Sequence, residues 1–388
     1  MKYRLLTPGP TLMPQEVKLA LSKEMIHHRK DEFRTILKEV EEKLKILFGT
    51  QQQVLILSCS GTGGMQAALF NLFSPGEEVL VVEGGKFGKR WSEMAKQRGL
   101  SVIPFKVEWG KAADPGKVEK LLKKHPKCRG LLIQLSETST GVLHPIKEIG
   151  EILKNRDILL VVDGISGVGI SPCPMDKWHI DCLISGSQKG FMIPPGLAFI
   201  ALSKKAWEKT KQIKNECFYF NLQGEREKIL KGQTLFTSSV ALVRALQASL
   251  NFFFSPSPEK VYTRQWALTQ MTRSAISALG LKCLAKEHYT WGLTSVCVPS
   301  GISSRDILNI CSHNFNVYLA GGQDKLKEKI IRIGHMGDVD AGDLLLALSA
   351  LYYSLRELLP HFKPREKDFL ERSFHAYIEA IQMGYPTQ

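Results

Sequence analysis

The chain has 388 residues, of which 44% are hydrophobic and 23% charged, with 52 Lys and Arg against 38 Asp and Glu. That length carries two or three domains with a large core, and the apolar content excludes disorder as the main state. The apolar runs fall far short of the roughly 20 residues a spanning helix needs, so no membrane association is expected. The net charge of +14 is spread over Lys117–Arg129, Lys204–Lys214 and Lys325–Arg332, where basic residues alternate with Glu, Leu and Ile. Such runs read as solvated helix faces. No recognised binding module accompanies them, so nucleic acid is not an expected partner. The eight cysteines form no C-x-x-C and no His cluster has zinc spacing, so no metal site is expected. Met1–Pro10 lacks the pattern of a secretory leader, and reduced thiols in a cytoplasm are the natural reading.

In chain order, Val54–Leu57 reads as a short buried strand and Met65–Phe73 as helix. Glu78–Val82 is apolar again, and Trp91–Arg98 is polar and helical. Gly130–Leu135 is a strand, Ile146–Lys154 a helix, and Ile158–Val162 an almost pure run of β-branched residues and Leu. Ile180–Ile184 and Leu197–Leu202 follow. Short continuous apolar runs between helices predict strands buried on both faces of a parallel sheet, hence an α/β fold. The last third differs. Val296–Pro299, Val317–Ala320 and Lys329–Ile333 look like strands, and Ser304–Ser312 and Ala341–Leu358 like helices, which suggests a smaller α+β domain. The Pro/Ser cluster Ser255-Pro256-Ser257-Pro258 marks the boundary. Residues 16–255 are thus expected to form the large domain and 256–360 the small one. In the extension 361–388, Phe369, Phe374, Ile378 and Ile381 predict an amphipathic terminal helix.

Three segments carry groups that do chemistry. Cys59-Ser60-Gly61-Thr62-Gly63-Gly64-Met65 follows a strand and opens a helix. Glycines there let backbone N–H groups approach a phosphate, and the Ser60 and Thr62 hydroxyls add donors. A tight strand-to-helix turn uses glycines equally well. No Lys-Ser/Thr pair follows, so the segment is not a Walker-type loop. Asp163 ends the run Ile158–Val162, at the sheet edge where open α/β folds bind ligands. Its rival role is a cap or turn residue beside Gly164. Lys189 lies in Ser185-Gly186-Ser187-Gln188-Lys189-Gly190, among small residues, with Phe191 and Met192 downstream. A cramped, semi-apolar setting destabilises an ammonium, and Schiff-base chemistry requires a neutral amine. The rival is a lysine snorkelling to the surface. Together a phosphate cradle, a strand-end carboxylate and an activated lysine match the needs of pyridoxal 5'-phosphate.

Several motifs stand in a telling order: Leu6-Thr7-Pro8-Gly9-Pro10-Thr11, Met25-Ile26-His27-His28-Arg29, Ser60-Gly61-Thr62-Gly63, Gly84-Gly85-Lys86-Phe87-Gly88-Lys89-Arg90-Trp91, Glu137-Thr138-Ser139-Thr140-Gly141-Val142, Asp163, Ser187-Gln188-Lys189 and Ile331-Arg332-Ile333-Gly334. With this spacing the chain resembles the class V aminotransferases of fold type I, in the alanine–glyoxylate and serine–glyoxylate (serine–pyruvate) group, from about residue 4 to 358. The resemblance implies a large domain with a mainly parallel mixed sheet sandwiched by helices, a smaller α+β domain, and an N-terminal segment, residues 1–15, lining the active site. It implies pyridoxal phosphate as cofactor, with Lys189 its Schiff-base lysine and Asp163 the partner of the ring nitrogen. Phe87, where many members carry Trp, and Ile165 would pack on the two ring faces. Ser60, Gly61, Thr62 and Gln188 would bind the phosphate, and Thr237 would reach it from a second subunit. Thr234 stands where some members have Tyr. Ser139, with Thr138 next, would meet the ring's phenolic oxygen. Arg332 would clamp the substrate carboxylate, and Gly9 would line the substrate pocket. The implied reaction is ping-pong transfer of an amino group from alanine or serine to a 2-oxo acid, glyoxylate, by a homodimer with shared sites. The alternatives are a cysteine desulfurase-like lyase of the same fold and a non-catalytic, hydrogenase-associated subunit.

Overall fold

The computed structural model describes residues 2–214 and 216–386. Its strands in chain order are β1 (Arg4–Leu5), β2 (Val54–Leu57), β3 (Glu78–Glu83), β4 (Ser101–Lys106), β5 (Cys128–Gln134), β6 (Ser136–Glu137), β7 (Val142–Leu143), β8 (Leu159–Asp163), β9 (Cys182–Gly186), β10 (Ala198–Leu202), β11 (Leu293–Cys297), β12 (Val317–Tyr318), β13 (Ala320–Gly321) and β14 (Ile330–Gly334). The strands β2, β8 and β10, apolar but for Asp163, are buried at every position: β8 and β10 have a neighbour on each side, and β2, an edge strand, is covered by the helices packed against it. They belong to a seven-stranded sheet of order β2-β10-β9-β8-β5-β3-β4. Only β10 runs against the others. The carboxyl ends of β2, β3, β5, β8 and β9 therefore share one edge, and the loops leaving them converge there.

The molecule is the α/β architecture the sequence implies, a mainly parallel mixed sheet between helices, with two local differences. Strand β4 has no apolar run to announce it. It is one edge of the sheet, none of its residues is fully buried, and it tolerates Pro104 because only β3 pairs with it. Lys325–Arg332 is not a helix face. A single 3-10 turn, Asp324–Leu326, leads into β14, which is wholly buried.

The apolar interior divides into two main clusters. One runs from Val17 to Phe253 around the large sheet. The other joins Leu6 to residues from Leu268 to Phe369, around the antiparallel sheet β11-β14-β13. Leu6 lies in the second cluster because β1 pairs with β12, and the Leu6 carbonyl accepts from Gly334 N at 2.7 Å. A few residues on, Thr11 N donates to Gln188 O at 3.1 Å. The N-terminal segment thus crosses from one cluster to the lysine loop of the other. The extension forms the helix Phe369–Met383 against the helix Pro258–Ala278. Its buried face is Phe369, Ser373 and Ala380, while Phe374, Ile378 and Ile381 are 43%, 39% and 40% exposed. Small side chains let the two helices approach, and the bulky stripe is left outside. Thr387 and Gln388 of the expected extension lie outside the described residues. Among those residues no helix is long and apolar enough to cross a membrane.

Candidate active site

At the carboxyl edge of the large sheet lies a cavity of about 500 Å³. Each wall follows from a strand end. After β2, Ser60 adopts an extended backbone and the helix Gly61–Leu72 begins. The Ser60 hydroxyl makes no cap bond, and the first N–H groups of a helix have no partner within it. The helix N-terminus is therefore open to an anion. A Cβ on Gly61 would come within 2.5 Å of Ile165 Cδ1, so glycine is what lets the loop after β8 close against this turn. Ser60, Gly61, Thr62, Phe87, Asp163, Ile165, Gln188 and Lys189 all line the cavity.

Asp163 ends β8. One carboxylate oxygen accepts from Ile165 N at 2.9 Å, and burial pushes the carboxyl up to about 6, with the backbone bond opposing. A buried carboxylate in that state is relieved by a cationic partner. Lys189 follows β9. Burial brings its amine down to about 8, helped by the nearby Arg332, with Asp163 opposing. The Nζ donates to Pro8 O. Gly9 has φ +106°, and a Cβ there would lie 2.7 Å from Lys189 Nζ, so the N-terminal segment closes over the amine.

The remaining expected residues divide between the cavity wall and elsewhere. Thr138 is on the cavity wall and Ser139 is not. The Ser139 hydroxyl donates to Glu137 Oε1 at 2.5 Å and accepts from Lys86 N at 3.0 Å. Arg332 stands behind the wall, its Nη1 on Thr138 O at 3.0 Å and its Nε on Gly321 O at 2.9 Å. Burial lowers its guanidinium to about 10, with Glu137 opposing. Thr237 is exposed in a separate groove beside Met25, Ile26, His27 and His28, away from the cavity of its own chain.

Two roles are absent from the sequence reading. Glu137 is fully buried and accepts from Gly88 N at 2.9 Å, Phe87 N at 3.4 Å and Ser139 N at 3.2 Å. It puts a carboxylate at the start of the helix Lys86–Gln97 and so fixes the turn that carries Phe87. Arg90 also lines the cavity, donating to Thr62 Oγ1 at 3.1 Å, with its guanidinium 4.9 Å from the Phe87 ring centre. Its spacing from Phe87, one helical turn, was the available signal.

The family described as aminotransferase class-V matches residues 5–334. The chain belongs to the class V aminotransferases. It is 39% identical to the "soluble hydrogenase, small subunit" of a Synechococcus species, over 92% of this chain and 94% of that one. It is 33% identical to the serine–glyoxylate aminotransferase of Methylorubrum extorquens, over 91% of each. Among solved structures, an aspartate aminotransferase of subgroup IV from Thermus thermophilus superposes with a TM-score of 0.86 at 31% identity, covering 92% of this chain and all of the other. Class V aminotransferases are pyridoxal-phosphate enzymes of fold type I, and this chain is a transaminase of that kind.

The cavity fits that cofactor. The open helix N-terminus suits a phosphate. Gln188 keeps a buried amide oxygen without a partner, and turning the amide presents its NH2 group instead. Asp163 lacks a cation that a protonated ring nitrogen provides. The lysine a Schiff base needs stands in the same cavity. Of the cysteines in the small domain, Cys297 and Cys311 are off the cavity, and burial pushes both thiols up, which does not favour the lyase alternative.

Proposed function

We propose that this transaminase moves the amino group of alanine or serine onto a 2-oxo acid, glyoxylate, as a homodimer whose sites lie at the subunit interface. The observation that carries the choice of a small donor is the closure of Pro8 and Gly9 over the Lys189 amine, which leaves little room for a long substrate side chain.

When bound, pyridoxal phosphate supplies an aldehyde for the amino group and a ring that withdraws electrons from the α-carbon. The chain's own groups do the rest. Lys189 takes the α-proton, and an amine near 8 keeps a useful neutral fraction at neutral pH while remaining basic enough to act. The Pro8 carbonyl holds that amine in place. Asp163 maintains negative charge against the ring nitrogen. The Thr138 hydroxyl, on the wall, serves the phenolic oxygen in place of Ser139, which Glu137 engages. Arg332, anchored by Thr138 O and Gly321 O, turns its guanidinium edge to the substrate carboxylate. Thr237, exposed beside an apolar groove, supports a role toward a neighbouring subunit's phosphate site. Eight free cysteines suit a reducing cytoplasm.

The name of the Synechococcus relative favours a second reading, a hydrogenase-associated subunit that kept the fold. One experiment separates them. Each amino acid is added alone to the purified holoprotein while the absorbance of the bound cofactor is followed. Bleaching by alanine or serine, reversed by glyoxylate, supports the proposal. Bleaching by aspartate alone would replace the donor, and a band indifferent to every amino acid would favour the subunit.

A further inference from the structure

The groups expected to hold the cofactor phosphate are Ser60, Gly61, Thr62, Gln188 and Thr237. All are neutral. A phosphate monoester carries about −1.5 to −2 charge near pH 7. Taking such a charge out of water with neutral donors alone is unfavourable, and a helix N-terminus offers only about half a positive charge. The site therefore needs a cation. Lys189 is committed to the cofactor's aldehyde. Arg332 is off the wall, held by two carbonyls.

Arg90 remains. It is the one arginine on the cavity wall. One N–H donates to the hydroxyl of Thr62, the residue at the open helix end, at 3.1 Å. Its guanidinium spans from there to the Phe87 ring. Among the described residues it forms no ion pair with a carboxylate, its charge reaching Asp163 only from a distance, whereas Arg98, about two turns on at the end of the same helix, pairs with Glu216 at 3.7 Å. An arginine this close to an anion cradle and unpaired is a counter-charge waiting for its anion.

We propose that Arg90 supplies the positive charge for the cofactor phosphate, through the N–H groups of its guanidinium not engaged with Thr62. It holds the cofactor by its phosphate while Phe87, carried on the same turn, holds the ring.

The test compares the apo-enzyme's affinity for pyridoxal 5'-phosphate with that for pyridoxal, which lacks the phosphate, in wild type, Arg90→Gln and Arg90→Lys. Wild type should prefer the phosphorylated form, and inorganic phosphate should compete with it. Arg90→Gln should weaken the phosphorylated form about tenfold to a hundredfold, leave pyridoxal unchanged and abolish competition by inorganic phosphate. Arg90→Lys should recover part of the loss. Equal weakening of both forms would overturn the proposal and make Arg90 a prop for Phe87. Unchanged affinities with a raised KM for the amino donor would overturn it in favour of a substrate contact. A wild type that binds neither form would overturn the cofactor assignment and this proposal with it.

Discussion

The two edges of the large sheet are built from the same strands and differ in what they do with charge. At the amino edge a wider hollow, about 790 Å³, lies among Lys154, Asp176, His179, Asp181 and Lys205. Its charges are largely matched. Lys205 meets Asp181 at 3.2 Å, and Lys154 and His179 meet Glu151 at 2.7 and 3.0 Å. The cavity at the carboxyl edge is smaller, about 500 Å³, but Asp163, Lys189 and Arg90 face it without an ion-pair partner among the described residues. Burial has pulled the first two far from their ordinary ionisation. The larger of these two hollows is not the one that holds the chemistry. Uncompensated charge marks the site, because groups kept poised for a ligand cannot already be neutralised by the protein.

That contrast can be broken or sharpened by substitution. The largest effect is expected from Lys189→Ala, which should cut transamination by about a thousandfold, read as the single-turnover rate of the bound cofactor with donor. Retention of activity within tenfold would remove Lys189 from the proton transfer. Asp163→Asn should cut turnover by about a hundredfold and yet stabilise the apo-enzyme. The sign follows from its ionisation. The folded carboxyl titrates near 6 and the ordinary one at 3.8, so between them the folded chain holds a proton the unfolded chain has lost. Apo-enzyme stability therefore falls as pH rises through that window, and above it the substitution should recover about 1–3 kcal/mol in urea unfolding. A destabilised Asp163→Asn apo-enzyme at pH 8 would contradict that origin of the shift. Arg332→Gln should raise the KM for the donor about tenfold to a hundredfold with a smaller change in kcat, and an unchanged KM would place the carboxylate clamp elsewhere. The smallest effect belongs to the amino edge. Lys205→Met opens a partly exposed pair and should cost under about 1 kcal/mol of stability, with kinetics indistinguishable from wild type. A kinetic defect there would give that hollow a function.

Much of this edge was legible in the chain. The apolar run into Asp163, the small residues around Lys189 and the glycine turn after Val54–Leu57 are local signals, and the structure keeps all three on one cavity. Other features were not legible, for physical reasons. Edge strand β4 is half exposed and so lacks a buried run. In the terminal helix the apolar stripe suggested one face, but packing chose Phe369, Ser373 and Ala380, because contact with a neighbouring helix rewards close approach as well as hydrophobicity. Thr138 and Ser139 are adjacent hydroxyls, and no local pattern says which turns inward. Glu137 decides it by engaging Ser139 Oγ, after the chain has folded.

The sequence alone determined the strand-helix alternation, the order of the strands along the chain and the residue types able to hold and use an amine-binding cofactor. These rest on periodicity and side-chain chemistry, which are properties of neighbours in the chain. Only the tertiary structure decided that Pro8 reaches Lys189, that Arg332 leans on Thr138 from the other sheet, and that Arg90 stands unpaired beside Thr62. Each depends on contacts between distant segments, and it is burial among those contacts that sets which charges are matched and which are left for a ligand.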